Sequence, residues 1–214
     1  DRIRGIAVET PVLRSDRIDE AAGTQVLFKC ENLQRGGAFK IRGAANFIYS
    51  LGAEAPRRGV VAYSSGNHAQ AVAIAAKSVA ARATIVMPTD SPRTKLEGTR
   101  AQGAEVITFD RFSQKREEIV ARIASETGAA TVPPFDHPWI IAGAGTAALE
   151  FLSTHSGLDA LVAPIGGGGL LSGCSIAARA LSPGIRLFGA EPAEANDTYQ
   201  SLRAGRRVEI PIPS

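Results

Sequence analysis

Cysteine, aromatic residues and long apolar runs are all scarce in this chain of 214 residues. The two cysteines, Cys30 and Cys174, lie in apolar surroundings, which favours buried free thiols in a reducing compartment over a disulfide framework. No apolar run approaches the ~18 residues of a membrane span, and the chain does not open with the charged and apolar regions of a signal peptide. We therefore expect a cytoplasmic protein without a membrane partner.

The charges are nearly balanced, because 24 Lys and Arg face 21 Asp and Glu for a formal net charge of +3. Aromatic residues are 6% of the chain, and the basic stripe that nucleic-acid binders need is missing. The three histidines, His68, His137 and His155, do not have the spacing of a zinc site, and no G-x-S-x-G hydrolase elbow occurs. The composition predicts a globular protein with no nucleic-acid partner.

Short apolar runs alternate with helix-like segments along the chain. We predict strands at 26–31, 60–63, 84–87, 105–109, 158–165 and 185–190, and helices at 41–51, 68–77, 93–102, 113–127, 142–155 and 170–181. This alternation is typical of α/β proteins whose mainly parallel sheets are covered on both faces. Breaks rich in proline, glycine and charge at 54–59 and 133–138 could bound a small inserted domain.

Four consecutive glycines, Gly166 to Gly169, separate a predicted strand from a predicted helix. Without Cβ atoms, the N–H groups of such a loop can converge on one small anion, and the helix adds its positive dipole end. The spacing does not fit the dinucleotide motif G-x-G-x-x-G, and Cys174 stands where a P-loop has its lysine. The loop thus predicts a phosphate monoester site, with a flexible or tightly packed glycine turn as the alternative.

A lysine at a predicted helix start is the second unusual feature. Lys40 follows the turn 36–39, at the helix end where the dipole disfavours a cation. That cost is relieved if the amine is neutral or held as a Schiff base. Taken alone, an ordinary surface lysine is the simpler interpretation.

The polar segment 64–68 follows another predicted strand and precedes an alanine-rich helix. Ser64, Ser65 and Asn67 place hydroxyl, amide and backbone donors at a helix N-terminus, an arrangement that suits a carboxylate. Ser65 and Asn67 could equally be plain capping residues.

Together these segments resemble pyridoxal-phosphate enzymes of the tryptophan-synthase-β fold type. The family motifs F-K-x-R-G, S-S-G-N-H-x-Q and G-G-G-G-L are matched by 39–43, 64–70 and 166–170. The resemblance is closest to the serine/threonine dehydratase and serine racemase branch, which includes dehydratases of threo-3-hydroxyaspartate and phenylserine, and it covers essentially the whole chain. The cysteine-synthase branch is similar to a lesser degree, since it carries T-S-G-N-T-G instead.

The resemblance implies two open doubly wound domains with mainly parallel sheets, the smaller inserted in the larger, and pyridoxal 5′-phosphate in the cleft between them. Residues 1–58 and 137–214 would form the large cofactor-binding domain, and 59–136 the small substrate-binding domain. It further implies a small amino-acid substrate and a homodimer for the full-length protein.

The resemblance also implies roles for individual residues. Lys40 would carry the cofactor and, once freed, remove the α-proton, while Ser65 would handle protons on the opposite face. The implied cofactor-binding residues are Phe39, Lys40, Asn67, Gly166, Gly167, Gly168, Gly169 and Leu170. The implied substrate-binding residues are Ser64, Ser65, Gly66, Asn67, His68 and, by a loose alignment, Arg116. For Arg116, an exposed helix charge is the alternative.

A divalent-cation site is implied at Glu191, the Ala195 carbonyl and Asp197, as in the racemase subgroup. Two carboxylates, a carbonyl and waters form the hard oxygen shell that suits Mg²⁺ or Ca²⁺. The alternative is an acidic helix start, because the helix dipole favours acidic side chains there.

Two departures from the family pattern stand out. The family's G-Q-G-T reads Gly143-Ala144-Gly145-Thr146 here, so one side-chain amide is lost. Family members are also longer, and their Ser or Thr that contacts the pyridine nitrogen would lie beyond residue 214. We expect that the chain is part of a longer protein.

The resemblance implies β-elimination from a β-hydroxy amino acid to a keto acid and ammonia. Serine, threonine, threo-3-hydroxyaspartate and phenylserine all fit, and Arg42 and Arg116 make an acidic side chain plausible. Three alternatives stay open: a serine or aspartate racemase on the same scaffold, a non-catalytic pyridoxal-phosphate-binding domain, and a mononucleotide-binding module that uses Gly166 to Gly169.

Overall fold

The structure, a computed structural model, describes residues 1–210. Its helices are α1 (Asp16–Ala22), α2 (Lys40–Ser50), α3 (Glu54–Arg58), α4 (Asn67–Ser78), α5 (Arg93–Ala101), α6 (Arg116–Thr127), α7 (Pro138–Thr154), α8 (Gly169–Leu181) and α9 (Asp197–Ala204). Its strands are β1 (Val12–Arg14), β2 (Leu27–Lys29), β3 (Val60–Tyr63), β4 (Ala83–Pro88), β5 (Glu105–Phe109), β6 (Ala130–Thr131), β7 (Ala160–Pro164) and β8 (Arg186–Ala190).

The strands form three sheets. The largest has the order β5-β4-β3-β6 and is parallel throughout. Strands β7 and β8 form a parallel pair, and β1 and β2 form an antiparallel pair. The α/β class with mainly parallel sheets is thereby confirmed. The four-stranded sheet falls inside 59–136, and the domain boundaries stay a prediction.

Strand β3 lies at the centre of the packing. Val60, Val61 and Ala62 are at most 1% exposed, because helices cover both faces of the sheet. Val60 and Ala62 belong to the core shared with α2 and α4, whereas Val61 packs with residues of α6 such as Val120. A fully buried parallel strand needs apolar side chains on both faces, which is why this run does not alternate.

Glycines let α2, α7 and α8 approach at backbone distance. A Cβ at Gly143 would lie 2.3 Å from the Arg42 carbonyl oxygen, and one at Gly173 would lie 2.3 Å from the Ile141 carbonyl oxygen. These contacts fix the start of α2, which carries Lys40, relative to the start of α8, which follows the glycine loop.

Some elements differ from the sequence prediction. The predicted break 54–59 contains α3, and β1, α1, β6 and α9 were not predicted. Helix α7 begins at Pro138 rather than 142, because the His137 ring accepts a hydrogen bond from the Trp139 N–H and proline suits the first helical turn. Helix α6 begins at Arg116 rather than 113. Within residues 1–210, no helix combines the length and apolar character needed to cross a bilayer.

Candidate cofactor site

A cavity of about 230 Å³ lies between the start of α2, the glycine loop and residues 134–135. Seven of the residues predicted for the cofactor or substrate line it: Phe39, Lys40, His68, Gly166, Gly167, Gly169 and Leu170. Ala144, at the position where the family motif has glutamine, also lines the cavity. The fold therefore brings together the lysine and glycine segments, which are more than 120 residues apart in the sequence.

Lys40 is the first residue of α2, and its side chain is largely withdrawn from solvent. The Nζ atom donates a hydrogen bond to the Pro134 carbonyl oxygen at 2.6 Å. Burial lowers the pKa of the Lys40 amine below its ordinary value, because a charged ammonium is poorly solvated there. A lysine with a lowered pKa loses its proton more readily, which suits Schiff-base formation and proton transfer. Lys40 is therefore a partly buried lysine in a cavity wall rather than an exposed one, and its catalytic role stays a prediction.

His68 is buried on the first turn of α4, with 4% of its surface exposed. Burial and the nearby Lys40 charge lower its pKa to about 4, so the ring is neutral at physiological pH. Its Nε2 lies 3.3 Å from the Val132 carbonyl oxygen, and only an Nε2–H tautomer can donate to that acceptor. The Nδ1 atom is then the hydrogen-bond acceptor of this ring.

The glycine loop needs glycine for two separate reasons. Gly166 and Gly168 have φ values of 51° and 84°, in the region that side chains disfavour. Gly167 lies under the Phe135 ring, where a Cβ would come within 2.4 Å of ring atoms, and a Cβ at Gly169 would come within 2.9 Å of the Phe135 carbonyl oxygen. The loop is therefore tightly packed against Phe135, as the alternative interpretation predicted, and this packing is compatible with a phosphate site.

No side chain caps the start of α8. Its first N–H groups and positive dipole end are therefore available to an anion. An uncapped helix start, a side-chain-free loop and a buried amine in one cavity wall match the phosphate and aldehyde ends of pyridoxal phosphate. The residues present fit this cofactor.

The segment 64–68 connects β3 to α4. The Gly66 N–H donates to Ser64 Oγ at 3.1 Å, and Ser65 and Asn67 are exposed. No side chain caps α4, whose N-cap residue is Gly66, so the interpretation of Ser65 and Asn67 as helix caps is wrong. The start of α4 keeps its free N–H groups for a carboxylate.

Arg116 lies beside this segment and outside the cavity wall. It is the exposed first residue of α6, its guanidinium stacks 4.5 Å from the Tyr63 ring centroid, and its Nε donates to Glu117 at 2.8 Å. Tyr63 immediately precedes Ser64. Arg116 is both a paired helix charge and a cation next to the predicted substrate segment.

Arg42 corrects one sequence inference. Its side chain is completely buried, and it hydrogen-bonds Glu31 and binds both carboxylate oxygens of Glu150, at 2.6 and 2.8 Å. Burial alone would lower the pKa of the guanidinium, but both carboxylates raise it above its ordinary value. Arg42 is therefore unavailable to an acidic substrate. It ties α2, two residues after Lys40, to α7, a role that no local sequence pattern indicates.

The segment predicted to bind a metal leads from the end of β8 into the first residue of α9. Glu191 Oε1 accepts from the Tyr199 N–H at 2.7 Å, and Oε2 accepts from the Thr198 N–H at 3.4 Å. Asp197 is the first residue of α9, and Ala195 ends a short 3₁₀ turn. Between residues 1 and 210, no group of three or more His, Cys, Asp or Glu side chains is placed to hold a metal ion. The acidic helix start describes what is observed.

The fold and site define an α/β protein in which a partly buried lysine and a glycine loop line one cavity. Residues 3–214 match the family described as "Pyridoxal-phosphate dependent enzyme". The chain belongs to this family, as its motifs predicted.

Individual relatives agree with the predicted branch. The chain is 50% identical over 213 residues to L-threo-3-hydroxyaspartate ammonia-lyase of Saccharomyces cerevisiae, covering all of this chain and 65% of that protein. It is 44% identical over 213 residues to serine racemase of Schizosaccharomyces pombe, covering all of this chain and 66% of that protein. The structure of maize serine racemase matches with a TM-score of 0.95 and 43% identity, over 98% of this chain and 64% of that one. The chain thus spans about two thirds of the length of these relatives.

Proposed function

We propose that the protein is a pyridoxal-phosphate-dependent ammonia-lyase that converts a β-hydroxy amino acid to a keto acid and ammonia. The observation that carries this proposal is the partly buried Lys40 amine, which lines the same cavity as the glycine loop that leads into the uncapped helix α8. We put threo-3-hydroxyaspartate first among the substrates, ahead of serine, threonine and phenylserine. The support is the 50% and 47% identity to L-threo-3-hydroxyaspartate ammonia-lyases of Saccharomyces cerevisiae and Pseudomonas sp.

The cofactor, when bound, supplies an electron sink for charge that develops at the substrate's α-carbon. The backbone N–H groups of Gly166 to Gly169 and of Leu170 at the start of α8 would hold its phosphate. Phe39 would pack beside its ring, Asn67 would hydrogen-bond its ring oxygen, and Lys40 would provide the amine that holds it. Because burial lowers the pKa of the Lys40 amine, this amine could afterwards act as the base that accepts the α-proton.

The substrate carboxylate is bound at the start of α4. The N–H groups there and the hydroxyls of Ser64 and Ser65 donate to it. Because the pKa of His68 is lowered to about 4, its ring is neutral at higher pH and carries no charge beside the carboxylate. Removal of the α-proton and departure of the β-hydroxyl as water leave an enamine. Its hydrolysis releases ammonia and the keto acid, so all atoms are accounted for without an oxidant.

Replacing the lysine tests the proposal. Lys40→Ala should lower β-elimination by several orders of magnitude, as expected for loss of a covalent base, whereas Lys77→Ala, at the exposed end of α4, should not. Borohydride reduction of the wild-type holoenzyme followed by peptide mapping should place the pyridoxyl group on Lys40. A label on another lysine, or a colourless protein that binds nucleotide, would refute the assignment.

Racemisation is the second candidate. The observation that favours it is the exposed Ser65 hydroxyl in the segment after β3, together with 44% identity to serine racemases. If Ser65 supplies the proton on the second face, Ser65→Ala should abolish conversion of the D to the L form while elimination from the L substrate continues. Chiral chromatography of both reactions distinguishes the activities.

We also infer that Glu191, the Ala195 carbonyl and Asp197 bind Mg²⁺ or Ca²⁺. The support is the family resemblance and the oxygen chemistry of these groups, although Glu191 already accepts two helix N–H groups. Millimolar Mg²⁺ should raise the melting temperature by mass action, and Asp197→Asn should remove the response. Equal melting temperatures with Mg²⁺ and with chelator would refute the metal site and leave the segment as an acidic helix start.

The remaining inferences concern the whole protein. We infer a cytoplasmic homodimer when full length, with a large domain from 1–58 and 137–214 and a small domain at 59–136. They rest on the family resemblance. Sedimentation of the full-length protein tests the dimer, and limited proteolysis tests the domain boundaries.

A further inference from the structure

The side-chain amide of Asn67 has a partner that no sequence motif indicates. Nζ of Lys95 donates to Asn67 Oδ1 at 2.8 Å. Lys95 lies on α5, about one turn before Gly98, and a Cβ at Gly98 would come within 2.4 Å of Gln70 Nε2 on α4. Gly98 therefore leaves room for the Gln70 side chain between α5 and α4, and Lys95 on the same helix reaches the predicted substrate segment.

This contact determines which way the amide faces. An asparagine side chain carries an acceptor oxygen on one side and a donor nitrogen on the other, and without a fixed partner either can face a ligand. An ammonium group only donates, so the oxygen must face Lys95 and the nitrogen must face away from it. The amide of Asn67 is thus fixed as a donor toward any ligand that it meets.

We propose that Lys95 is a positioning residue that fixes the Asn67 amide as a hydrogen-bond donor to the ring oxygen of pyridoxal phosphate. That oxygen is an acceptor, and it would meet the amide oxygen unfavourably if the side chain were turned around. The inference rests on the proposed role of Asn67 in cofactor binding. It adds a residue outside the three family motifs to the site.

A direct effect of the Lys95 charge on the anionic cofactor is the competing explanation. Within the part of the chain that the structure describes, Lys95 forms no ion pair within 4.0 Å. A charge effect would not depend on the presence of Asn67. The positioning effect operates only through that amide, and this difference decides the experiment.

Two neutral variants separate a hydrogen bond from a charge. Lys95→Met removes both, whereas Lys95→Gln removes the charge and keeps a donor. Titration of cofactor-free protein with pyridoxal phosphate, followed by absorbance, should show roughly 10-fold weaker binding for Lys95→Met, the scale of one hydrogen bond to a charged group, and a smaller loss for Lys95→Gln. Lys77→Met, at the far end of α4, is the matched control and should bind as wild type does. Equal losses for Lys95→Met and Lys95→Gln would overturn the proposal.

A double-mutant cycle completes the test. In the Asn67→Ala background, Lys95→Met should have no further effect on cofactor affinity, because nothing is left to position. The same loss in both backgrounds would show a direct charge effect and overturn the proposal. If Asn67→Ala itself binds cofactor as wild type does, the proposed role of Asn67 fails. If Asn67→Ala weakens binding and Lys95→Met does not, only the role of Lys95 fails.

Discussion

Removing the Arg42 guanidinium should destabilise the protein more than any exposed charge substitution. Arg42→Met keeps most of the side-chain volume and deletes the charge that Glu31 and Glu150 share. The side chains of these carboxylates are only 16% and 24% exposed. After the substitution Glu150 keeps Lys29, at 2.8 Å, and Glu31 keeps the Thr10 hydroxyl, at 2.6 Å.

Breaking a buried ion pair by removing one partner costs about 3–5 kcal/mol. Because both carboxylates retain some solvent and one other partner, we expect the lower end, about 3 kcal/mol. In a chain of this size each kcal/mol lowers the melting temperature by about 2–4 °C, which gives a decrease of about 6–12 °C. Arg42→Lys should fall between wild type and Arg42→Met, because an ammonium cannot bind both oxygens of Glu150 in the same plane.

The loss should also depend on pH. Burial would raise the pKa of Glu150, but hydrogen bonds from Arg42 and Lys29 outweigh it and hold the pKa below its ordinary value of 4.5. A carboxyl group whose folded pKa is lowered contributes stability above its unfolded pKa and loses that contribution as the pH falls through the folded value. The difference between wild type and Arg42→Met should therefore be largest at neutral pH and shrink below pH 4.5.

Urea unfolding followed by circular dichroism at pH 7 and pH 4 measures both effects. The control is Arg57→Met, which removes an exposed pair with Glu54 and should change the free energy of unfolding by less than about 1 kcal/mol. A change below about 1 kcal/mol for Arg42→Met at pH 7, or a difference that grows in acid, would refute the reasoning.

Two glycine substitutions test the site and its support. Gly168→Asp should weaken cofactor binding far more than folding, because it adds negative charge at the predicted phosphate site; the positive φ of 84° at this position adds some backbone strain. Unchanged affinity in a cofactor titration would refute the prediction that this loop binds the phosphate. Gly173→Ala should lower the free energy of unfolding by several kcal/mol, since its Cβ would lie 2.3 Å from the Ile141 carbonyl oxygen. Gly184→Ala, whose Cβ meets nothing within 4 Å, is the control, and equal midpoints in urea for the two would contradict the packing argument.

Sequence patterns predicted the parts of the fold that local chemistry determines. The apolar run of β3 and the short strand β5 were predicted with their observed bounds, because a buried parallel strand needs continuous apolar residues. The two-residue strand β6 was missed, since its pairing with Val60 and Val61 is a long-range contact with no local signal.

The site shows the same division. The motifs predicted that Lys40 and the glycine loop serve one cofactor, and the structure brings them to one cavity. The role of Arg42 was misjudged, because its partner Glu150 is 108 residues away. The neighbour of Asn67, Lys95, lies on another helix, so only the fold shows that they meet.

Helix α7 sets the spacing between the lysine side and the glycine-loop side of the candidate cofactor site. It touches α2 through Gly143 and α8 through Gly145, in each case backbone against backbone. The distance between the Lys40 amine and the glycine loop is therefore set by contacts between backbones, and substitutions of surface side chains do not change it. One residue inserted in α7 before Gly143 would turn the following glycines by about 100° and bring larger side chains to both contacts. The spacing of the site thus depends on a helix from which only Ile140 and Ala144 line the cavity.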